Sequence, residues 1–283
     1  MPELPETETI ARDLDGAVSG AVIARTMVER ENVLREADAA AFVARTSGAT
    51  IARVWRRAKS VVLDLDTQDH LVVTPRFTGA LLVESGAAAS RPSAVGHDPP
   101  ADYTCLTFIL SDGRTLRYRD VRRLGTVALM APQRFDAWSA ALGPEPLDPA
   151  LTPERFSGIV RSSSRAVKTI LMDQRRLAGI GNIYANEALW RAGIRPSRRG
   201  AAVTRADGAR LLDALRGVLA ESIALRGTSF RDYRDAFGQR GGFVERLAVY
   251  GRAGEACTRC GAALRGHHEI EGRATVFCAA CQR

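Results

Sequence analysis

The segment Cys257-Thr-Arg-Cys260, followed after seventeen residues by Cys278-Ala-Ala-Cys281, decides how the last part of the chain folds. Two Cys-x2-Cys pairs at this spacing are typical of a zinc ribbon, in which each pair supplies two thiolates from one tight turn. Four thiolates complete a closed tetrahedral site, so we expect one structural Zn2+ on a β-hairpin. Two disulfides are the alternative, which a reducing compartment disfavours. His267 and His268 lie between the pairs and are further candidate ligands, but four cysteines suffice without them.

The first half of the chain has the pattern of a β-rich domain. Short apolar or alternating runs, separated by turn residues, predict an antiparallel sandwich or barrel. The runs are Ala21–Val28, Ala49–Trp55, Val61–Leu65, Leu71–Val73, Ala80–Val83, Tyr103–Leu110, Thr115–Tyr118 and Thr126–Met130. Before them, Ile10, Leu14 and Ala17 recur at helical spacing. They predict a leading helix, and Pro2 and Pro5 suit its opening turn.

Beyond residue 142 the hydrophobic period changes from that of strands to that of helices. The segment Leu142-Gly-Pro-Glu-Pro-Leu-Asp-Pro149 stiffens the chain at this change and marks a domain boundary. Four helical segments follow it: Pro153–Val160, Arg165–Asp173, Asn182–Ala192 and about Arg205–Leu225. The sequence therefore predicts an α+β multidomain protein, with a β-sandwich domain at 1–142, a helical domain at 143–250 and the cysteine-rich hairpin at 251–283.

Two segments have the composition of loops. Ser85–Pro100 is rich in Ala, Ser, Gly and Pro and is predicted to be a surface loop. Gly227–Gly242 is polar and contains glycines and several arginines. We predict that it is a mobile loop able to close over a ligand, and a solvated connector is the alternative.

The charge balance indicates a polyanionic partner. Lys and Arg total 40 against 32 Asp and Glu, which gives a formal net charge of +8. Nucleic acid is the first candidate, and a general preference for arginine is the alternative, since Lys59 and Lys168 are the only lysines. No apolar run is long enough to cross a bilayer, and the acidic N-terminus lacks the basic start and apolar core of a secretory signal. We therefore expect a cytosolic protein that spans no membrane.

A glycine-containing turn precedes one of the predicted helices. Gly179 and Gly181 allow the backbone to turn sharply before Asn182, a candidate N-cap. The amides and the dipole of a helix N-terminus attract anions, so this turn is a candidate phosphate site, although such turns are also common in packing. Between the cysteine pairs, Arg273 and Thr275 give the hairpin a basic, donor-rich edge that suits a phosphate, with a solvated surface as the alternative.

Four segments stand in the order of the motifs of one known family. They are Pro2-Glu3-Leu4-Pro5-Glu6, Arg56-Arg-Ala-Lys59, Leu177-Ala-Gly-Ile-Gly-Asn182-Ile-Tyr-Ala-Asn-Glu187 and Val249-Tyr-Gly-Arg-Ala-Gly-Glu-Ala-Cys257. Together they resemble the catalytic N-terminus, the sheet lysine motif, the helix-two-turn-helix and the zinc-finger entry of the formamidopyrimidine-DNA glycosylase branch of the Fpg/Nei base-excision repair family. The pair Glu3-Leu4 favours this purine-lesion branch over the endonuclease VIII branch, which usually has Glu-Gly there.

The resemblance implies a two-layer β-sandwich beside a helix-two-turn-helix domain that ends in the zinc hairpin, with double-stranded DNA held between. It implies removal of oxidised purines, chiefly 8-oxoguanine and formamidopyrimidines, by extrusion of the damaged nucleotide and cleavage of its glycosidic bond. Strand nicking by β,δ-elimination would follow. We expect a monomer of the bacterial cytosol, with damaged DNA as its partner and one Zn2+ as its cofactor.

The resemblance also assigns the catalytic residues. Once Met1 is removed, Pro2 exposes a secondary amine that would attack the sugar C1′ and form a Schiff base. An α-amino group has a reference pKa of about 8, so part of it is unprotonated at neutral pH. Glu3 would donate a proton to the ribose ring oxygen, and Glu6 would support it by hydrogen bonding. The alternative for both carboxylates is a favourable place in the first turn of a helix.

Other residues are assigned to hold the DNA. Lys59 would reach the damaged base or the neighbouring phosphate. Asn182 and Arg273 would hold the phosphates that flank the flipped nucleotide, and Lys168 would add a further contact. These contacts position the strand and do not read its sequence.

The wedge departs from the family pattern. Thr74-Pro-Arg-Phe77-Thr-Gly79 stands where the family usually has His-Leu-Gly-Met-Ser-Gly, and Asp120-Val-Arg122-Arg-Leu124-Gly125 where it usually has Asp-Pro-Arg-Arg-Phe-Gly. Phe77 and Leu124 are still apolar, and we predict that they fill the gap left by the flipped base. Arg122 would face the orphaned partner base.

Two other functions stay open from the sequence. One is a non-catalytic, zinc-containing DNA-binding protein on the same scaffold, which the altered wedge favours. The other is an oxidised-pyrimidine glycosylase of the endonuclease VIII type. Cleavage of damaged DNA would distinguish a glycosylase from the non-catalytic DNA-binding protein. Preference for oxidised purines over oxidised pyrimidines would distinguish it from the endonuclease VIII type.

Overall fold

The computed structural model describes residues 2–85 and 103–283, so the predicted loop at Ser85–Pro100 lies, except for Ser85, outside the described residues. The chain divides into two compact units. Unit 1 is built from the chain up to Ser139 together with Arg226–Gly241, and unit 2 from Ala140–Leu225 together with Gly242–Arg283. Each unit is therefore made of two separated pieces of chain.

Unit 1 contains two sheets and a leading helix. Its elements are α1 (Leu4–Val18), β1 (Ile23–Val28), β2 (Leu34–Arg35), α2 (Ala39–Thr46), β3 (Ile51–Arg57), β4 (Ser60–Leu65), β5 (His70–Thr74), β6 (Gly79–Glu84), β7 (Thr104–Leu110), β8 (Thr115–Asp120), β9 (Thr126–Met130) and α3 (Pro132–Ala140). One sheet has the strand order β1-β7-β8-β6 and the other the order β2-β9-β5-β4-β3. The paired strands are antiparallel except for β2 and β9, which pair in parallel over two residues.

One apolar core joins the helix and the two sheets of unit 1. Ile10, Leu14 and Val18 lie on one face of α1 and are buried in the same cluster as Val61 of one sheet and Phe108 of the other. Burial of each such side chain contributes roughly 1.5–3 kcal/mol to folding, before the entropy of ordering the chain is subtracted. The predicted β-sandwich with a leading helix is confirmed.

Two helices of unit 1 were not expected from the sequence. The helix α2 begins after Asp38, whose Oδ1 accepts a hydrogen bond from the backbone N–H of Ala41 at 2.8 Å. It is too short for a clear apolar period, and its useful signals were the Asp38 cap and the three alanines that follow. The helix α3 follows the last strand and opens with Pro132, a residue that suits a first helical turn.

Unit 2 is helical, as predicted, and ends in a small hairpin. Its elements are α4 (Pro153–Arg161), α5 (Val167–Met172), α6 (Asn182–Ala192), α7 (Arg205–Ala224), β10 (Arg265–His267) and β11 (Thr275–Phe277). The hydroxyl groups of Thr152 and Thr204 cap α4 and α7. The expected N-cap at Asn182 is wrong by one residue, because Gly181 has the extended backbone of the cap and Asn182 is the first helical residue. Across 2–85 and 103–283, no helix combines the length and the apolar character that crossing a bilayer requires.

The segment Arg226–Gly241 belongs to unit 1 and is anchored there. Tyr233 and Ala236 are buried in the same core as α1, and the N–H of Val83 in β6 donates to the carbonyl of Ala236 at 2.9 Å. Arg226 forms ion pairs with Asp13 of α1 and with the buried Asp235. A solvated connector is therefore wrong for Gly227–Gly242, since buried side chains and ion pairs hold this segment to the helix and sheet. Its closure over a ligand stays a prediction.

Candidate functional site

The start of α1 holds the predicted catalytic residues in a buried setting. Pro2, Glu3 and Glu6 are all buried, and Glu3 is the N-cap residue with an extended backbone. The two oxygens of the Glu6 carboxylate have different partners. Its Oε2 accepts the N–H of Glu3 at 2.8 Å, and its Oε1 accepts the N–H of Thr228 at 2.7 Å. One carboxylate therefore fixes both the backbone beside Pro2 and the segment Arg226–Gly241.

Lys59 lies in the turn of the β3–β4 hairpin, next to Ala58, whose φ of +54° is in the left-handed region. An ion pair fastens this hairpin to α1, because Nε of Arg56 donates to Oε2 of Glu8 at 2.7 Å. Burial raises the pKa of Glu8. The charges and hydrogen bonds of Arg56 and Arg12 lower it by more, so the net pKa is below the usual value. Glu8 is therefore ionised at neutral pH, and the turn with Lys59 is held to the helix that begins at the predicted nucleophile.

The predicted wedge residues lie on two turns that share one buried carboxylate. Phe77 lies between β5 and β6, and Arg122 and Leu124 lie between β8 and β9. Oδ1 of Asp120 accepts the Thr78 hydroxyl at 2.6 Å and the N–H of Arg122 at 3.1 Å. Oδ2 accepts the N–H of Gly125 at 2.8 Å and the Tyr118 hydroxyl at 3.2 Å. The two turns are thus brought together by Asp120, which is fully buried.

Tyr118 and Gly125 complete the close packing under these turns. Burial and the neighbouring Asp120 carboxylate raise the pKa of Tyr118, so its hydroxyl keeps its proton and donates. A Cβ atom added at Gly125 would lie 1.9 Å from the Tyr118 hydroxyl oxygen, so a side chain does not fit there without rearrangement. The turns therefore depend on glycine for close approach.

In unit 2, the turn before α6 is stabilised by one glutamine. Oε1 of Gln174 accepts the N–H of Gly179 at 2.8 Å, and its Nε2 donates to the carbonyl of Ile180 at 2.8 Å. Gly179 has a φ of +85°, which explains the need for glycine at this position. The turn leaves Asn182, which is half-buried, at the first position of the helix.

The structure brings Arg273 close to this helix start through two buried side chains. The carbonyl of Ala274, next to exposed Arg273, accepts hydrogen bonds from Nζ of Lys168 at 2.8 Å and from Nδ2 of Asn186 at 3.4 Å. Oδ1 of Asn186 accepts the N–H of Val276 at 3.0 Å, while its Nδ2 donates to the carbonyl of Asn182 at 2.6 Å. Asn186 therefore joins the backbone at Asn182 to the strand after Arg273.

Lys168 does not occupy the surface position that a direct phosphate contact requires. Its side chain is fully buried, and besides Ala274 its ammonium group donates to Oγ1 of Thr275 at 2.8 Å. The predicted helical segment Arg165–Asp173 placed this lysine correctly on the helix before the turn. It did not show that the ammonium group points into the unit, toward the hairpin backbone.

The four C-terminal cysteines form a cluster that fits a tetrahedral metal. All four Sγ atoms lie within 4.8 Å of one another. Sγ of Cys257 is 4.0 Å from that of Cys281, and Sγ of Cys260 is 3.5 Å from that of Cys278. Tetrahedral Zn–S bonds of about 2.3 Å place sulfur atoms about 3.8 Å apart, so these separations suit a zinc site made of four thiolates. His267 and His268 are not in the cluster.

Two buried groups that stabilise unit 2 were not singled out from the sequence. Asn186 stood in the quoted helix motif but received no role. Glu187, the next residue, is fully buried, and its carboxylate accepts the N–H groups of Ala248, Val249 and Tyr250 at 2.8–2.9 Å. Glu187 thus anchors the segment that leads into the cysteine cluster, and a charged residue on the apolar face of a helix was the signal for it.

Comparison with known proteins identifies the family. Residues 1–127 match the N-terminal domain of formamidopyrimidine-DNA glycosylase, and residues 142–234 match its H2TH domain. The chain belongs to the formamidopyrimidine-DNA glycosylase family. A formamidopyrimidine-DNA glycosylase of Heliobacterium modesticaldum is 39% identical over 285 residues, and one of Xanthomonas campestris pv. campestris is 41% identical over 283 residues, in both cases over the full length of each protein.

Solved structures of this family have the same fold. A Lactococcus lactis Fpg mutant in complex with DNA containing Fapy-dG superposes with a TM-score of 0.88 at 29% identity, over 100% of both chains. The MutM (Fpg) protein of Thermus thermophilus superposes with a TM-score of 0.85 at 36% identity, over 99% of this chain and 98% of that one. Another L. lactis Fpg complex contains DNA with an abasic site. The predicted family and fold class are confirmed.

Proposed function

We propose that this protein is a bifunctional DNA glycosylase and lyase of base-excision repair. Its substrates would be oxidised purines in double-stranded DNA, namely 8-oxoguanine and formamidopyrimidines. The names of the relatives and the damaged DNA bound by the solved L. lactis proteins support this class of substrate. We propose that the protein acts as a monomer in the bacterial cytosol, with the sandwich of 1–142 carrying the chemistry and 143–250 and 251–283 holding DNA.

The observation that carries the proposal is the Glu6 carboxylate at the start of α1. It accepts the N–H of Glu3 and so fixes the backbone that follows Pro2. With Met1 removed, the imino nitrogen of Pro2 lies at the N-terminus of a helix, where the dipole favours the neutral amine over its protonated form. A fixed, unprotonated secondary amine is the nucleophile that attack on a sugar carbon requires.

The chemistry of this site balances without another reagent. The lone pair of the Pro2 nitrogen forms a bond to C1′ as the bond from C1′ to the damaged base breaks, and the proton that the Pro2 nitrogen then loses leaves with the base. Glu3 donates a proton to the ring oxygen O4′ as the C1′–O4′ bond opens, which leaves an iminium between Pro2 and C1′. The Glu3 carboxylate, which has given its own proton to O4′, then takes a C2′ proton as the bond to the 3′ phosphate breaks, and a second elimination expels the 5′ phosphate.

The remaining predicted residues would hold the DNA. We propose that Lys59 reaches the damaged base or its phosphate, and that Asn182 and the exposed Arg273 bind phosphates beside the flipped nucleotide. We propose that Lys168 contributes through the hairpin backbone that it holds. The wedge would consist of Phe77 and Leu124, with Arg122 facing the orphaned base, as the sequence predicts.

We propose that the cysteine cluster holds one Zn2+. Cys257, Cys260, Cys278 and Cys281 would be its ligands, and a closed site of four thiolates provides rigidity and no reactive position. The ion would fix the hairpin that presents Arg273.

Borohydride trapping tests the proposed reaction. Reduction of the iminium links protein to DNA covalently, so wild-type protein without Met1 is expected to form an adduct with a duplex that contains 8-oxoguanine. Glu3→Gln should bind this duplex normally but excise the base at least about 100-fold more slowly, because it cannot donate the proton. Glu36→Gln, the same change at an exposed carboxylate of unit 1, is the matched control.

Each outcome of this experiment has a clear meaning. Tight binding of damaged duplex without any adduct would contradict the proposal and favour a non-catalytic DNA-binding protein. Faster cutting of thymine glycol than of 8-oxoguanine would favour an oxidised-pyrimidine glycosylase. Normal excision by Glu3→Gln would exclude the proton-donor role of Glu3.

A further inference from the structure

Two turns of unit 1 present apolar side chains to solvent among arginines. Phe77 is 45% exposed, Leu124 41% and Val121 38%, although large apolar side chains are usually buried. Arg76, Arg122 and Arg123 are exposed beside them in the sequence. Exposed apolar groups within a basic surface are typical of a site that contacts both the bases and the phosphates of DNA.

The backbone under these exposed side chains is fixed. The buried Asp120 carboxylate accepts hydrogen bonds from Thr78 of the first turn and from Arg122 and Gly125 of the second. The N–H of Arg122 also donates to the Thr78 hydroxyl at 3.0 Å, which joins the two turns directly. The turns that carry the apolar side chains are therefore already fixed, so DNA binding loses little conformational entropy in ordering them.

Phe77 and Arg122 form a single stacked unit. The guanidinium carbon of Arg122 lies 5.1 Å from the centre of the Phe77 ring, within the range of a cation–π interaction. Phe77 has a φ of +30°, in a region that bulky residues rarely adopt, so the surrounding turn imposes this conformation. One face of the ring is thus paired with a planar cation.

Only one of the two wedge positions offers an aromatic face. Replacing a base inside a stack favours a flat ring, because each neighbouring base has a π-face on which the ring can lie. Leu124 supplies bulk but no such face. In the motif that the sequence resembles, the aromatic residue stands at the second turn and methionine at the first, and here the aromatic residue stands at the first.

We propose that Phe77, stacked with Arg122, is the group that inserts between the bases in this protein, and that Leu124 only fills space beside it. The proposal rests on the proposed glycosylase function and deepens it by naming the residue that sets base extrusion. The occupant of this surface is double-stranded DNA at the step where one nucleotide has left the stack. The aromatic function has therefore moved from the β8–β9 turn to the β5–β6 turn.

The test compares a substrate that needs insertion with one that does not. The first is a duplex with 8-oxoguanine opposite cytosine, and the second is a single-stranded oligonucleotide with an abasic site, which has no opposite base and no gap to fill. Phe77→Leu should slow excision from the duplex by about tenfold or more, the size expected for loss of one stacking contact. Its borohydride trapping on the single strand should equal that of the wild type.

Three control variants separate the ring from simple bulk. Phe77→Tyr keeps the ring and should excise within about threefold of the wild type, whereas Leu124→Ala, at the other wedge position, should slow excision by a smaller factor than Phe77→Leu does. Arg122→Lys keeps the charge but loses the planar guanidinium that lies over the ring. It should reduce the rate of excision by a larger factor in the wild-type background than in the Phe77→Leu background. Because Phe77 is half exposed, Phe77→Leu should unfold in urea at the wild-type midpoint, which excludes a folding defect.

The outcomes distinguish the two proposals. Wild-type excision by Phe77→Leu, or a larger loss in Leu124→Ala than in Phe77→Leu, would overturn the proposed insertion by Phe77. If the wild type forms no adduct with either DNA, the proposed glycosylase function fails. In that case 2-aminopurine placed beside an abasic-site analogue in bound duplex still reports on insertion. Loss of its fluorescence change in Phe77→Leu but not in Leu124→Ala would support the proposal, and the reverse would overturn it.

Discussion

Asp120 in unit 1 and Lys168 in unit 2 are both fully buried charged residues, but they stabilise opposite kinds of surface. Asp120 accepts four hydrogen bonds and holds two turns whose tips are apolar. Lys168 donates to Ala274 and Thr275 and holds a hairpin whose tip is the cationic Arg273. In each unit, a side chain proposed to contact DNA is exposed, while a fully buried side chain, Asp120 or Lys168, fixes the backbone behind it.

Both surfaces keep their shape because a buried side chain holds the backbone behind the exposed groups. Burying a charge is costly, and it persists only where its hydrogen bonds are made. A carboxylate suits a turn because turns leave N–H groups without partners, and an ammonium group suits a hairpin edge because edges leave carbonyl groups without partners. The variants below test whether these two buried charges act as support for the exposed groups.

The largest expected effect is loss of the proposed zinc site in unit 2. A structural zinc contributes roughly 10 kcal/mol or more to such a fold, so Cys260→Ser should unfold the hairpin and weaken binding to DNA at least about tenfold. Zinc content and fluorescence anisotropy with a labelled duplex measure the two losses. Cys105→Ser changes a buried thiol outside the cluster and serves as the control. Full affinity of zinc-free protein would show that the hairpin needs no metal to hold Arg273.

The next effect is expected at Asp120. Asp120→Ala leaves the hydroxyl groups of Tyr118 and Thr78 and the N–H of Gly125 without this acceptor, which should cost about 3–5 kcal/mol of unfolding free energy. Urea denaturation measures this loss. Asp120→Asn keeps one acceptor oxygen and should lose less. A change below about 1 kcal/mol in the alanine variant would mean that the turns of the wedge do not depend on this carboxylate.

A smaller effect is expected at Lys168. Lys168→Met fills similar space but removes the donors to Ala274 and Thr275, and should cost about 1–3 kcal/mol. If the lysine acts by holding Arg273, the slope of log affinity against log salt should fall by about one, as for loss of one phosphate contact. The double variant with Arg273→Gln should then bind DNA no more weakly than Arg273→Gln alone. Additive losses would instead indicate that the ammonium group acts on DNA independently of the hairpin.

The smallest effect is expected at the Glu8–Arg56 ion pair, which is only partly buried. Glu8→Gln should cost about 0.5–1 kcal/mol at neutral pH, since solvent screens the pair. The pKa of Glu8 is lowered from 4.5 in the folded protein, so its contribution is present above pH 4.5 and is lost as the pH falls through the lowered value. The difference between variant and wild type in urea denaturation should therefore narrow as the solution is acidified through that range. A difference that stays constant would show that the carboxylate charge is not its cause.

The elements with a clear period were predicted well from the sequence. The strand Thr126–Met130 and the helix Asn182–Ala192 have the predicted bounds, because alternation and apolar spacing follow directly from which face is buried. Asp38 and the alanines of α2 form too short a pattern, and the segment Arg226–Gly241 has no period at all. Its place in unit 1 depends on contacts of Tyr233 and Ala236 with residues more than a hundred positions away, which no local pattern encodes.

The candidate site was predicted unevenly for a related reason. Cysteine spacing identified a cluster that the structure brings together, since four thiolates in two turns need little else. The supporting roles of Asp120, Asn186 and Glu187 were not predicted, because a buried polar residue is recognised by its partners and not by its neighbours in sequence. Lys168 shows the same limit, since the apolar period of Arg165–Asp173 predicted its helix but not the direction of its ammonium group.

The return of the chain to unit 1 at Arg226–Gly241 constrains how the protein can be divided. A recombinant fragment that stops at Ser139 would lack Tyr233 and Ala236, and it would leave Asp13 and the Glu6 carboxylate without partners that they have in the whole chain. Exchange of sandwich modules between homologues must therefore transplant this distant strip along with the first 139 residues. Two separated stretches of coding sequence are inherited as one structural piece.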